Sequence, residues 1–85
     1  MQATQESHRK VLQLVYSIVK NDPYPLKYIV HPRELILRSM QEWSEIQISL
    51  QFLAKEGDIL TRQVDSLQIS LTEQGLRKCT NGQED

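Results

Sequence analysis

The sequence predicts a single α+β domain over residues 5–79, with a three-helix core, a two-stranded β-hairpin and a short C-terminal helix. Three observations carry this expectation. Apolar residues recur at helical spacing up to Gly57 and alternate after it, a change of period from about 3.6 to about 2. Pro23, Pro25, Pro32 and Gly57 stand where helices must stop or start. A chain of 85 residues, 39% hydrophobic and 25% charged, has ordinary globular composition and enough length for one core, not two.

The first helix is expected from Gln5 to Lys20, where Val11, Leu14, Val15 and Ile18 form one stripe that Leu12 and Val19 widen. Asn21, Asp22, Pro23 and Pro25 end it, because proline lacks an amide donor and pushes the preceding residue out of the helical region. Lys27 to Val30 then reads as a short strand, on the β-favouring side chains of Tyr28, Ile29 and Val30. Pro32 suits the first turn of a second helix, expected to reach Ser39, with Glu34 and Arg38 four apart as an exposed pair. A third helix carries Trp43, Ile46, Leu50 and Leu53 on one side and stops at Gly57. No glycine, proline or asparagine lies between Glu34 and Glu56, so one continuous helix over residues 32–56 is the alternative. Against it, Ser39 and Glu42 have the spacing of a capping box, which favours a break.

Asp65-Ser66 is expected as a two-residue turn between strands running from Ile59 to Val64 and from Leu67 to Leu71. Pairing Val64 with Leu67 would place Leu60, Val64, Leu67, Ile69 and Leu71 on the core face, with Arg62 the one charge among them. Thr72 should cap the last helix, which runs to about Cys79, and residues 1–4 and 80–85 should be flexible tails.

Two segments carry more specific information. Leu50, Leu53, Gly57 and Ile59 combine two inward leucines with a glycine that turns the chain out of a helix, and Leu71-Thr72-Glu73-Gln74-Gly75 joins a strand end to a helix start. Separated by a hairpin of suitable length, they resemble the winged helix-turn-helix family of bacterial transcriptional regulators over all but the tails. The sequence departs from that family at Ser39, Met40 and Gln41, which replace the usual glycine-containing link between the second and third helices. The resemblance implies binding of double-stranded DNA, with the outward face of the third helix in the major groove. On that face, opposite Ile46 and Leu50, Ser44, Gln47, Gln51 and Lys55 are the base-facing candidates, with Ile48 an apolar exception. Lys27, Arg33, Arg38 and Arg62 are the phosphate-contacting candidates.

Charge complicates that expectation. The net charge of -1 hides a basic half, six bases against three acids over residues 1–41, and an acidic half, four against eight over residues 42–85. DNA affinity comes largely from neutralised phosphates, yet the third helix carries Glu42, Glu45 and Glu56 against Lys55 alone. The competing reading is a winged helix that docks a protein or a second copy of itself. Ile48 and Phe52 would then be an exposed apolar pair, and Leu12 and Tyr16 part of a broad first-helix face suited to a homodimer. Catalysis is not expected, because His8, His31 and Cys79 lack metal-ligand spacing and glycines at 57, 75 and 82 form no phosphate loop. No cofactor is expected either. A lone cysteine, a polar stretch from Gln2 to Lys10 and no apolar run near the roughly 20 residues of a membrane span suggest a cytoplasmic protein with no membrane partner.

Overall fold

A computed structural model describes residues 5–81 of the chain, apart from the side chains of Gln5, Glu6 and Asn81. The elements are α1 (Gln5–Val19), α2 (Pro32–Ser39), α3 (Trp43–Glu56), β1 (Ile59–Gln63), β2 (Leu67–Leu71) and α4 (Glu73–Asn81). This is an α+β fold, four helices with an antiparallel hairpin after the third, an order compatible with a winged-helix layout. One core joins every element: Val11, Val15 and Val19 of α1, Leu35 of α2, Ile46, Leu50 and Leu53 of α3, Ile59 of β1, Ile69 and Leu71 of β2, and Cys79 of α4 are all buried.

The link from α1 to α2 is mostly turn. Asp22 accepts the Tyr24 amide on its carboxylate at 2.9 Å, and the Lys27 amide donates to the Tyr24 carbonyl at 2.9 Å. That turn consumes the first residue of the expected strand. What remains of it is one bridge, in which Val30 exchanges amide-to-carbonyl bonds with Ile69 at 2.8 and 3.0 Å. The bridge seats the fully buried Val30 against β2.

Residues 32–56 form two helices, not one. The break sits at Met40, whose φ of 59° is left-handed and whose amide donates to the Ile36 carbonyl at 3.1 Å, the closure that glycine normally supplies. The capping box is not formed. Ser39 is the last residue of α2, its Oγ accepts the Gln41 amide at 3.1 Å, and Glu42 occupies the cap of α3 without a side-chain cap bond. Glu34 and Arg38 do not pair either; among the described residues the two ion pairs are Arg77 with Glu73 and Lys78 with Asp58.

The hairpin register differs by one residue from the expected one. Ile59 faces Leu71, Thr61 faces Ile69 and Gln63 faces Leu67, so the loop is Val64-Asp65-Ser66 and not a two-residue turn. A one-residue slip sends every side chain of a strand to the other face. Ile59 is therefore the buried member of β1, while Leu60 and Val64 are 64% and 59% exposed. Arg62 shares their outward side and needs no accommodation in the core.

The start of α4 clasps the end of α3. Gly57 closes α3 at φ 87°, and the next residue, Asp58, is only 2% exposed. Thr72 Oγ1 donates to the Gly57 carbonyl at 2.6 Å and accepts the Gly75 amide at 3.0 Å, capping α4 as expected. Gln74 Nε2 donates to the Glu56 carbonyl at 2.7 Å and to Asp58 Oδ1 at 2.8 Å, and Lys78 Nζ reaches Asp58 Oδ2 at 3.1 Å. Gly75 lies so close beneath that a Cβ there would overlap the Asp58 carbonyl oxygen and stand 2.9 Å from Leu71 Cδ1. α4 continues through Asn81, so Thr80 and Asn81 belong to the helix and not to a tail. The remaining tail assignments, 1–4 and 82–85, lie outside the described residues.

Candidate functional site

The sequence divides α3 into two faces. Ile46, Ser49, Leu50 and Leu53 are buried against the rest of the core. Side chains about half a turn away must then face solvent. Ser44, Gln47, Gln51 and Lys55 do so together, with Ile48 among them at 47% exposure. None of the four polar side chains makes a hydrogen bond or ion pair among the described residues. The acids at the start of α3, Glu42 and Glu45, sit where the helix dipole favours negative charge.

The phosphate candidates are spread over three elements. Lys27 lies in the turn before α2, with its Nζ 6.0 Å from the centre of the Tyr24 ring, Arg33 and Arg38 sit near the two ends of α2, and Arg62 is on the outward side of β1. All four are exposed, and none is in an ion pair among the described residues. The bases that are engaged belong to α4, where Arg77 pairs with Glu73 and Lys78 with the buried Asp58. Two acids of the acidic half are thus matched internally, while the bases of the turn, α2 and β1 remain available.

The apolar candidates do not stay together. Phe52 is half-buried, its ring stacked on His8 with centroids 4.2 Å apart and planes 16° from parallel, so it forms no exposed pair with Ile48. His8 is itself buried, with Nδ1 3.0 Å from the Oγ of buried Ser49. Leu12 is 5% exposed, and its carbonyl accepts the Cys79 thiol at 3.8 Å. Tyr16 is half-buried against the core. The breadth of the α1 apolar face is therefore spent inside the molecule, on α3 and α4, and Leu12 offers no surface for a second copy. Sequence reasoning left His8 and Ser49 without a role. The signal was spacing: His8 precedes Val11, Leu12, Val15 and Val19 on the buried stripe of α1, and Ser49 lies three residues from Ile46 and four from Leu53.

Cys79 is equally closed. Burial, and then the nearby negative charge of Asp58, raise its thiol from the ordinary 9.0 to about 11, opposite to the shift that makes a cysteine nucleophilic. Among the described residues no group of three or more His, Cys, Asp or Glu side chains stands together where it could hold a metal ion. No helix there is long and apolar enough to cross a membrane. The comparisons with known proteins are equally bare. No family model, curated protein or solved structure matches the chain. The functional reading therefore rests on the chain's own residues.

Proposed function

We propose that the chain is a winged-helix DNA-binding protein, a cytoplasmic transcriptional regulator without cofactor or catalytic role. In this reading α3 enters the major groove with Ser44, Gln47, Gln51 and Lys55 toward base edges, while Lys27, Arg33, Arg38 and Arg62 hold phosphates. The supporting observation is availability: these eight side chains are exposed, and none is committed to an ion pair among the described residues. Glutamine suits base reading because its amide can donate and accept toward adenine in one plane. Few bases and an acidic α3 together imply modest affinity for random DNA, with discrimination resting on the α3 face.

The test is fluorescence anisotropy of a random-sequence duplex titrated with the protein at low and then rising salt. Four phosphate contacts predict a slope of log affinity against log salt of about -3.6, at roughly 0.9 per phosphate. Absence of binding at low salt would eliminate phosphate-anchored recognition. A protein-docking winged helix is the second reading, favoured by Ile48, whose apolar side chain is 47% exposed in the middle of the α3 face.

A further inference from the structure

Exposed apolar side chains are concentrated in one stretch of the chain. Among the described residues, Tyr24, Leu26, Ile29, Ile36, Leu37 and Met40, six of the nine large hydrophobic residues left exposed, fall within residues 24–40. Leu35 is the buried member of α2, and Leu37, two residues on, is turned about 200° around the helix axis from it, at roughly 100° per residue. The outward side of α2 therefore carries Leu37, 71% exposed, with Arg33 one turn before it, and the C-cap residue Met40 is 90% exposed. Arg33 and Arg38 stand near the two ends of α2, exposed and, among the described residues, without an acid partner, since Glu34 does not pair with Arg38.

From this we infer that the outward face of α2 is a docking surface for an acidic amphipathic helix of a partner protein. Leucine-like side chains of such a helix would cover Leu37 and Met40, and its carboxylates would meet Arg33 and Arg38. Charge complementarity selects this occupant. Arg33 and Arg38 against the single carboxylate of Glu34 leave this face net positive, which disfavours a second copy of the same face, and Leu37 and Met40 give nucleic acid nothing to bond. The cations supply attraction and orientation, while the apolar centre supplies most of the affinity. The surface is separate from the polar α3 face assigned to base reading, although Arg33 and Arg38 are also phosphate contacts in the proposed DNA complex.

The test uses the full chain and two fluorescent synthetic helices, one with leucines at helical spacing and glutamates elsewhere, the other with lysines replacing the glutamates. The glutamate helix should bind saturably and the lysine helix at least about tenfold more weakly. The double variant Leu37→Ser, Met40→Ser should weaken the glutamate helix by about tenfold or more, and Arg33→Gln with Arg38→Gln should do the same and flatten its salt dependence. Thermal melts by circular dichroism check that both variants fold, which the exposure of all four side chains favours. The inference is overturned by absence of saturable binding, by equal affinity for the two helices, or by a Leu37, Met40 variant that binds like the parent. It is also overturned if sedimentation shows a dimer of the parent that the Leu37, Met40 variant abolishes, for then a second copy is the occupant. That variant retains all eight DNA candidates, so unchanged duplex binding by it separates this surface from the DNA reading.

Discussion

Replacing Gly75 by alanine puts a methyl group into a tighter packing contact than any at Gly57, the other described glycine. Its Cβ would overlap the Asp58 carbonyl oxygen and lie 3.0 Å from the Asp58 carbonyl carbon, which is backbone and cannot swing aside as a side-chain end would. Relief requires moving the first turn of α4 away from the end of α3. Overpacking of this kind costs about 1–3 kcal/mol. The displacement also loosens the bonds from Gln74 and Lys78 to the buried Asp58 carboxylate, and a hydrogen bond to a charged group is worth about 1.5–3 kcal/mol. Alanine returns up to about 1 kcal/mol in helix propensity. A net loss of about 3 kcal/mol is expected, a large part of the total for a domain this small. At roughly 4–8 °C per kcal/mol, Tm should fall by about 12–24 °C. Urea unfolding followed by the fluorescence of the partly buried Trp43 measures it, with the midpoint lowered and the denaturant slope unchanged. Gly57→Ala is the internal control. Its Cβ would have room, 3.6 Å from Gln74 Nε2, so only the left-handed backbone is penalised, at about 1–2 kcal/mol. A Gly75→Ala midpoint at or above the parent's, or above that of Gly57→Ala, would refute the clasp between α3 and α4.

The register of the hairpin predicts that Ile59→Ala costs about 2–5 kcal/mol while Leu60→Ser stays within about 0.5, and chemical denaturation showing the reverse would restore the register read from sequence. Met40→Gly should stabilise by up to about 1 kcal/mol, because an exposed methionine holding φ 59° carries strain that glycine lacks, and a lowered urea midpoint would count against it. Cys79 makes stability fall in alkali. Its folded value of about 11 exceeds the ordinary 9.0, so its contribution is complete below about pH 9 and is lost as pH rises toward 11, by up to about 3 kcal/mol. Cys79→Ala should remove this part of the alkaline decline, as seen in the difference between parent and variant melts from pH 8 to pH 10.5. The same thiol should resist a disulfide reagent at pH 8 until urea unfolds the chain.

Elements defined by strong local chemistry were legible in the sequence. Pro32 starts α2, Gly57 ends α3, and Thr72 caps α4, each through a backbone requirement that the residue itself satisfies. Where the deciding contact was distant, sequence reasoning fell short. Residues 59–64 have apolar side chains at both parities, Ile59 on one side and Leu60 and Val64 on the other, so alternation alone could not choose the face of β1. The pairing with β2 through a three-residue loop chose it. Lys27 to Val30 has strand-like composition, but only Val30 finds a partner, in Ile69. The candidate site divides in the same way. The solvent face of α3 follows from helical period and reads correctly as a set of exposed residues. Helical spacing puts His8 and Leu12 on the buried stripe of α1, but the stacking of Phe52 on His8 and the contact of Cys79 with Leu12 are long-range pairings that no local pattern discloses. The break at Met40 was favoured by the sequence for a capping box that does not form.

Base reading by α3 is most directly tested by incubating the folded protein with a library of randomised duplexes, recovering the bound fraction through several rounds, and sequencing it. If α3 reads bases, a short motif is enriched that disappears with Gln47→Ala and Gln51→Ala, while weak salt-dependent binding of unselected duplex persists in that variant. A recovered pool as random as the input would contradict it, as would a motif that survives loss of both glutamines.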